Sequence, residues 1–122
     1  ADKVAAIAKS IPPLEVLGEP EGDLLVLGWG GTYGAICSAV GNLQAEGYSV
    51  SSLHLRHLSP FPNHLGEILG RFKKVLVAEL NMGQLSMLIR SKYLIDAISY
   101  SKIQGQPFHV SELTKRFLEH LQ

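Results

Sequence analysis

What this chain has little of narrows its function early. It carries one cysteine, Cys37, so no internal disulfide can form, and a reducing compartment, the cytoplasm, fits. A single thiol also falls short of the several cysteines that an iron–sulfur cluster needs. Neither sign of charge is in excess: 11 basic residues face 11 acidic ones. No basic field therefore argues for nucleic acid or an anionic membrane surface. No apolar run approaches the roughly 20 residues that span a bilayer, and no signal peptide is visible. The phosphate-loop pattern ending in Gly-Lys-Ser/Thr, the G-x-S-x-G nucleophile elbow and the G-D-G mark of thiamine binding are all missing.

What remains is ordinary for one globular domain: 122 residues, 46% hydrophobic and 18% charged. The chain starts at Ala1 without a methionine and reads as an excised piece of a longer one. Residues 1–13 form a lead-in that Pro12-Pro13 terminates, and 14–122 form the domain. Residues 14–17 are short and apolar, a candidate edge strand. Residues 24–27 read as a buried strand and 28–34 as a glycine-rich turn. A helix follows with Ile36, Val40 and Leu43 at helical spacing, closed by Gly47. Val50, Leu53 and Leu55 mark a second strand. Asn63 can cap a short helix carrying Leu65, Ile68 and Leu69. The third strand is 75–80, followed by a long helix over 83–97 and a fourth strand over 98–103. Ser111 is placed to cap a last helix whose apolar side is Leu113, Phe117, Leu118 and Leu121. Strands alternating with helices of this length predict right-handed βαβ units and a mainly parallel sheet covered on both faces.

Four places carry chemistry-bearing side chains, and each has a structural reading beside a functional one. The turn Gly28-Trp29-Gly30-Gly31-Thr32-Tyr33-Gly34 follows a strand and opens a helix, so Gly30, Gly31 and Thr32 could present groups to an anion or small ligand. Tyr33 stands where a dinucleotide fingerprint needs its third glycine, and no acidic residue ends the second strand. The alternative is a tight turn with close backbone packing. His54, Arg56, His57 and His64 surround the end of the second strand. His54 and His57 point to opposite faces of a strand, which argues against a shared metal. An anion or interface contact stands beside a solvated loop. Cys37 reads as a buried, inert thiol. Glu79 ends the third strand and precedes Asn81 and Gln84 at the next helix start. This group either caps that helix or contacts a ligand or partner domain at the strand carboxyl ends. Trp29, Arg90, Tyr93 and Phe108 are candidate interface anchors or else core residues.

The runs LHLRHLSPFP (53–62), VLVAELNMGQLSMLIRSKYLIDA (75–97) and KIQGQPF (102–108), with GDLLVLGWGGTYGA (22–35), resemble the C-terminal part of the α subunit of 2-oxoacid:ferredoxin oxidoreductases, the 2-oxoglutarate type in particular. The resemblance covers residues 14–121. It implies a transketolase C-terminal-like domain: a three-layer αβα sandwich, α/β in class, with a mainly parallel sheet and one antiparallel edge strand. It also implies a complete enzyme that decarboxylates a 2-oxoacid on thiamine pyrophosphate with magnesium, passes electrons through a [4Fe-4S] cluster to ferredoxin, and gives the acyl group to coenzyme A. Those cofactors would sit elsewhere in the complex. The implied partners are the remainder of the α subunit and a β subunit, and no catalytic residue carries over to a position here. Two rivals stand: an independent small-ligand α/β module, and the equivalent domain of another thiamine enzyme such as transketolase or a pyruvate dehydrogenase β chain. The reading frame upstream of Ala1 separates them.

Overall fold

The computed structural model of the chain describes residues 16–29, 32–55, 65–79, 84–101 and 108–121. Five strands form one sheet. They are β1 (Val16–Leu17), β2 (Gly22–Trp29), β3 (Val50–Leu55), β4 (Phe72–Glu79) and β5 (Ile98–Ser101), in the spatial order β1-β3-β2-β4-β5. β2, β3, β4 and β5 run parallel, and β1 pairs antiparallel with β3 through Val16↔Leu53 and Leu17↔Ser52. The expected antiparallel edge strand is there at 16–17; the lead-in 1–13 and Leu14 lie outside the described residues.

The central strands are apolar on both faces because both faces are covered. Leu24 and Val26 of β2 with Leu76 and Ala78 of β4 point to one side. There they meet α1 (Tyr33–Ala45) through Ile36, Val40 and Leu43, and α4 (Val110–Leu121) through Leu113 and Phe117. Leu25, Leu27, Val75 and Val77 point to the other side and meet α2 (Leu65–Leu69) and α3 (Gln84–Tyr93), the latter through Leu85 and Ile89. This is the three-layer αβα sandwich.

Several boundaries differ from those the sequence suggests. β2 begins at Gly22 and runs through Gly28, which pairs with His54 on one side and Ala78 on the other, so Gly28 belongs to the ladder and not to the turn. β4 starts at Phe72, and the exposed Lys73 and Lys74 are strand residues. The long helix stops at Tyr93 instead of Ala97. Leu94 leaves it in the left-handed conformation, with φ of 56°, and the next residues carry the chain back until Ala97 is buried at the start of β5. Ser111 is not the last helix's cap. That helix opens after His109, whose carbonyl accepts the N–H of Leu113 at 3.1 Å and whose own N–H donates to Glu112 Oε1 at 3.3 Å, the reach-back half of a capping box. Gly47 does end α1. With φ of 94° it donates to Gln44 O at 3.0 Å while Tyr48 N–H reaches Leu43 O at 3.1 Å, a Schellman arrangement.

Candidate functional site at the carboxyl edge of the sheet

All four parallel strands end at one edge, lined in order by Leu55, Trp29, Glu79 and Ser101. At the centre of that edge β2 and β4 are neighbours, but the chain leaves them in opposite directions. After β2 it enters α1 on one face; after β4 it enters α3 on the other. Such a divergence opens the crevice in which α/β sheets place ligands and partners.

Glu79 is the fully buried acid of this crevice. An unpaired buried carboxylate is costly, and the fold satisfies this one with backbone. Glu79 Oε1 accepts the N–H of Leu85 at 2.9 Å, and Oε2 accepts that of Ser86 at 3.1 Å. Both donors lie in the first turn of α3, where N–H groups lack intrahelical partners and the helix dipole favours negative charge. Strand end and helix start are thereby tied across residues 80–83. Gln84 is the first residue of α3; its side chain, together with Gly30, Gly31 and Asn81, lies outside what is described.

Thr32 is buried at the start of α1. Its hydroxyl donates to the carbonyl of Trp29 at 3.3 Å, and its own carbonyl accepts Ile36 N–H at 3.0 Å. Thr32 is thus tied back to the end of the strand that precedes it. Gly28 has a packing reason to be glycine. A Cβ there would stand 2.5 Å from Ile36 Cδ1, 3.1 Å from Thr32 Oγ1 and 3.3 Å from His54 Nδ1.

Sequence reading did not anticipate the pairing of His54 with Tyr33. Their rings meet edge to face, 5.1 Å apart at an interplanar angle of 75°. They border a recess of about 10 Å³ between α1 and the β2–β3 pair, room for about one water. Cys37 lines the same recess and is half-buried, not buried as expected from sequence. The only forewarning of this pair was strand alternation, which puts His54 on the face that α1 covers. Arg56, His57 and His64 lie outside the described residues, and among the described residues no three His, Cys, Asp or Glu side chains cluster as a metal site.

The candidate anchors divide. Phe108 is buried and packs on Tyr100, ring centroids 5.3 Å apart. Trp29 and Tyr93 are half-buried against the core on the α3 side, and Tyr93 also lies over Gly66. Arg90 stays exposed, 3.9 Å from Asp96. Among the described residues no helix is long and apolar enough to cross a membrane.

Residues 22–113 match the family model of pyruvate:ferredoxin oxidoreductase core domain II. Over 105 residues the chain is 46% identical to 2-oxoglutarate oxidoreductase subunit KorA of Mycobacterium tuberculosis, an overlap of 84% of this chain and 16% of KorA. Among solved structures it is similar to the 2-oxoglutarate:ferredoxin oxidoreductase of Magnetococcus marinus, determined with 2-oxoglutarate, coenzyme A and succinyl-CoA bound. That match has a TM-score of 0.86 at 33% identity and covers 98% of this chain and 22% of that one. A split-gene transketolase matches at TM-score 0.69 and 17% identity, over 89% of this chain and 41% of that one, a likeness of fold alone. The chain spans about a sixth of KorA and about a fifth of the Magnetococcus chain. Sheet order, antiparallel edge strand, family match and identity agree: the chain belongs to the 2-oxoacid:ferredoxin oxidoreductase family, as a transketolase C-terminal-like domain of an α subunit.

Proposed function

We propose that this chain is the C-terminal domain of the α subunit of a thiamine-dependent 2-oxoglutarate:ferredoxin oxidoreductase in the cytoplasm. In that role it supplies contact surface for subunit assembly and part of the wall of the substrate and coenzyme A channel, while the chemistry takes place on other domains. The observation that carries the proposal is the likeness to the Magnetococcus enzyme, which extends over 98% of the chain at 33% identity. The geometry of the carboxyl edge supports it. Glu79 at the crevice has each carboxylate oxygen engaged by a helix N–H, so its first role is to hold a surface in shape.

Thiamine pyrophosphate, magnesium and the [4Fe-4S] cluster would be held by the rest of the complex. The residues described here do not fit them. The buried acid at the crevice already has two donors, and the single thiol cannot ligate a cluster. The partners are then the remainder of the α subunit and the β subunit, with ferredoxin and coenzyme A serving the whole complex.

Within this reading Gly30, Gly31, Asn81 and Gln84 contact a neighbouring domain, and the buried Thr32 and Glu79 hold the strand ends from which they follow. Replacing both Asn81 and Gln84 by alanine in the full complex lowers turnover on 2-oxoglutarate or weakens subunit association in size-exclusion, while the 122-residue chain itself stays folded. Unchanged assembly together with unchanged turnover would overturn the functional weight given to this turn.

A further inference from the structure

Helix α3 is apolar on more than the side that meets the sheet. Leu85 and Ile89 are fully buried, yet Met87 is 69% exposed, Leu88 44%, and Leu94 at the helix exit 88%. The exposed Ser91 lies between them, and the run from Met87 to Leu94 covers about 10 Å of helix axis. The other two large apolar side chains left in solvent among the described residues, Leu17 and Tyr33, sit on other elements.

Leu94 is the informative one. Its φ of 56° is the left-handed conformation in which a helix normally ends with glycine, because a side chain there is disfavoured. The stop itself needs only the backbone, whose N–H donates to Arg90 O at 3.0 Å. A leucine here costs conformational energy and, within this fold, buries little in return. A contact beyond the fold would offset that cost. The rim is charged with both signs, Arg90 and Asp96 standing 3.9 Å apart and both exposed.

We propose that the face formed by Met87, Leu88 and Leu94 is the docking surface for the remainder of the α subunit. This deepens the function proposed above and rests on it. The occupant follows from length: 98% of this chain covers only 22% of the Magnetococcus chain, and 84% of it covers only 16% of KorA. More than three quarters of either relative therefore lies outside this fold, so the same chain supplies the first surface at hand to cover this face. An apolar patch with an arginine and an aspartate at its rim fits an apolar surface bordered by the opposite charges.

The test is thiol accessibility. Leu94→Cys and, separately, Met87→Cys are made in a Cys37→Ser background, and maleimide labelling of the introduced cysteine, read on its own peptide by mass spectrometry, is timed in the 122-residue chain, the full-length α subunit and the complete complex. Labelling about tenfold or more slower already in the α subunit alone is the expected result. Protection that appears only when the β subunit is added would overturn the proposal in favour of that subunit. Protection in the isolated chain, rising with its concentration, would overturn it in favour of a second copy. A complex that assembles and turns over while both cysteines label at the free rate would sink this inference and leave the assembly reading standing. Failure of any complex to form around a folded chain would count against that reading itself.

Discussion

The Glu79 carboxylate accepts the Leu85 N–H at 2.9 Å from the end of the preceding strand, so the cap of α3 comes from outside the helix. A conventional N-cap satisfies its own helix and nothing else. This one ties a central strand to the next layer at the crevice. Glu79→Ala leaves two buried donors without their acceptor and lowers stability by about 2–4 kcal/mol, read as a shifted urea midpoint. Glu79→Gln keeps one good acceptor and loses roughly half of that. Equal midpoints for wild type and the alanine variant would mean that water replaces the carboxylate at no cost.

Gly28 and Ile36 form a second coupled pair. The Cβ of Gly28→Ala would lie 2.5 Å from Ile36 Cδ1, the far end of a flexible side chain. The alanine variant loses about 1–2 kcal/mol from overpacking. Ile36→Val, which removes that methyl group, costs about 1 kcal/mol alone. Together they cost less than their sum by about 1 kcal/mol in a double-mutant cycle. Strict additivity would show that Thr32 and His54 provide the obstruction instead.

Val77 is fully buried in β4, on the face that meets α3. Val77→Asp places a carboxylate there without partners and costs several kcal/mol. The chain then unfolds at markedly lower denaturant, or fails to fold. A wild-type midpoint would refute the place of β4 in the interior of the sheet, between β2 and β5.

His120 gives the fold a pH dependence. Burial of its ring, reinforced by Lys74 and Arg116 and opposed by Glu119, pushes it below the ordinary histidine value of 6.5. Its Nε2 is buried without a partner among the described residues, while its carbonyl accepts Lys74 Nζ at 3.1 Å. The unfolded chain therefore binds this proton more readily than the folded one. The stability due to the neutral ring is complete above the unfolded value and is lost as pH falls through it toward the lower folded value. Thermal melts from pH 7.5 to pH 5 should decline less steeply for His120→Gln than for wild type. Parallel declines would place the ring in water.

The central strands were legible because burial on both faces leaves no room for polar residues, as in Leu24–Leu27 and Val75–Ala78. The end of α3 was not, since Leu94 and Ile95 continue an apolar pattern and neither glycine nor proline marks the stop. Only backbone geometry reveals the turn there. The cap of α4 was misplaced because Ser111 is the stronger capping residue by composition, whereas the structure uses His109 with Glu112. At the crevice, Glu79 was visible as a buried strand-end acid, but its partners are backbone N–H groups, which every sequence carries. Tyr33 and His54 meet only because the β2–β3 register sets His54 beside Gly28, a long-range fact that local pattern cannot carry.

The strand order also dictates when this domain can fold during synthesis. β2 is flanked by β3 and by β4, and its ladder with β4 joins Gly22 to Phe72 and Gly28 to Ala78. A nascent chain can pair β2 with β3 early, but one edge of β2, with Leu24 through Leu27 buried in the finished fold, stays open until residue 79 has emerged. Such an uncovered apolar strand is prone to wrong pairing. Truncations ending before β4 should therefore aggregate, whereas those ending just beyond α3 should already hold the central ladder.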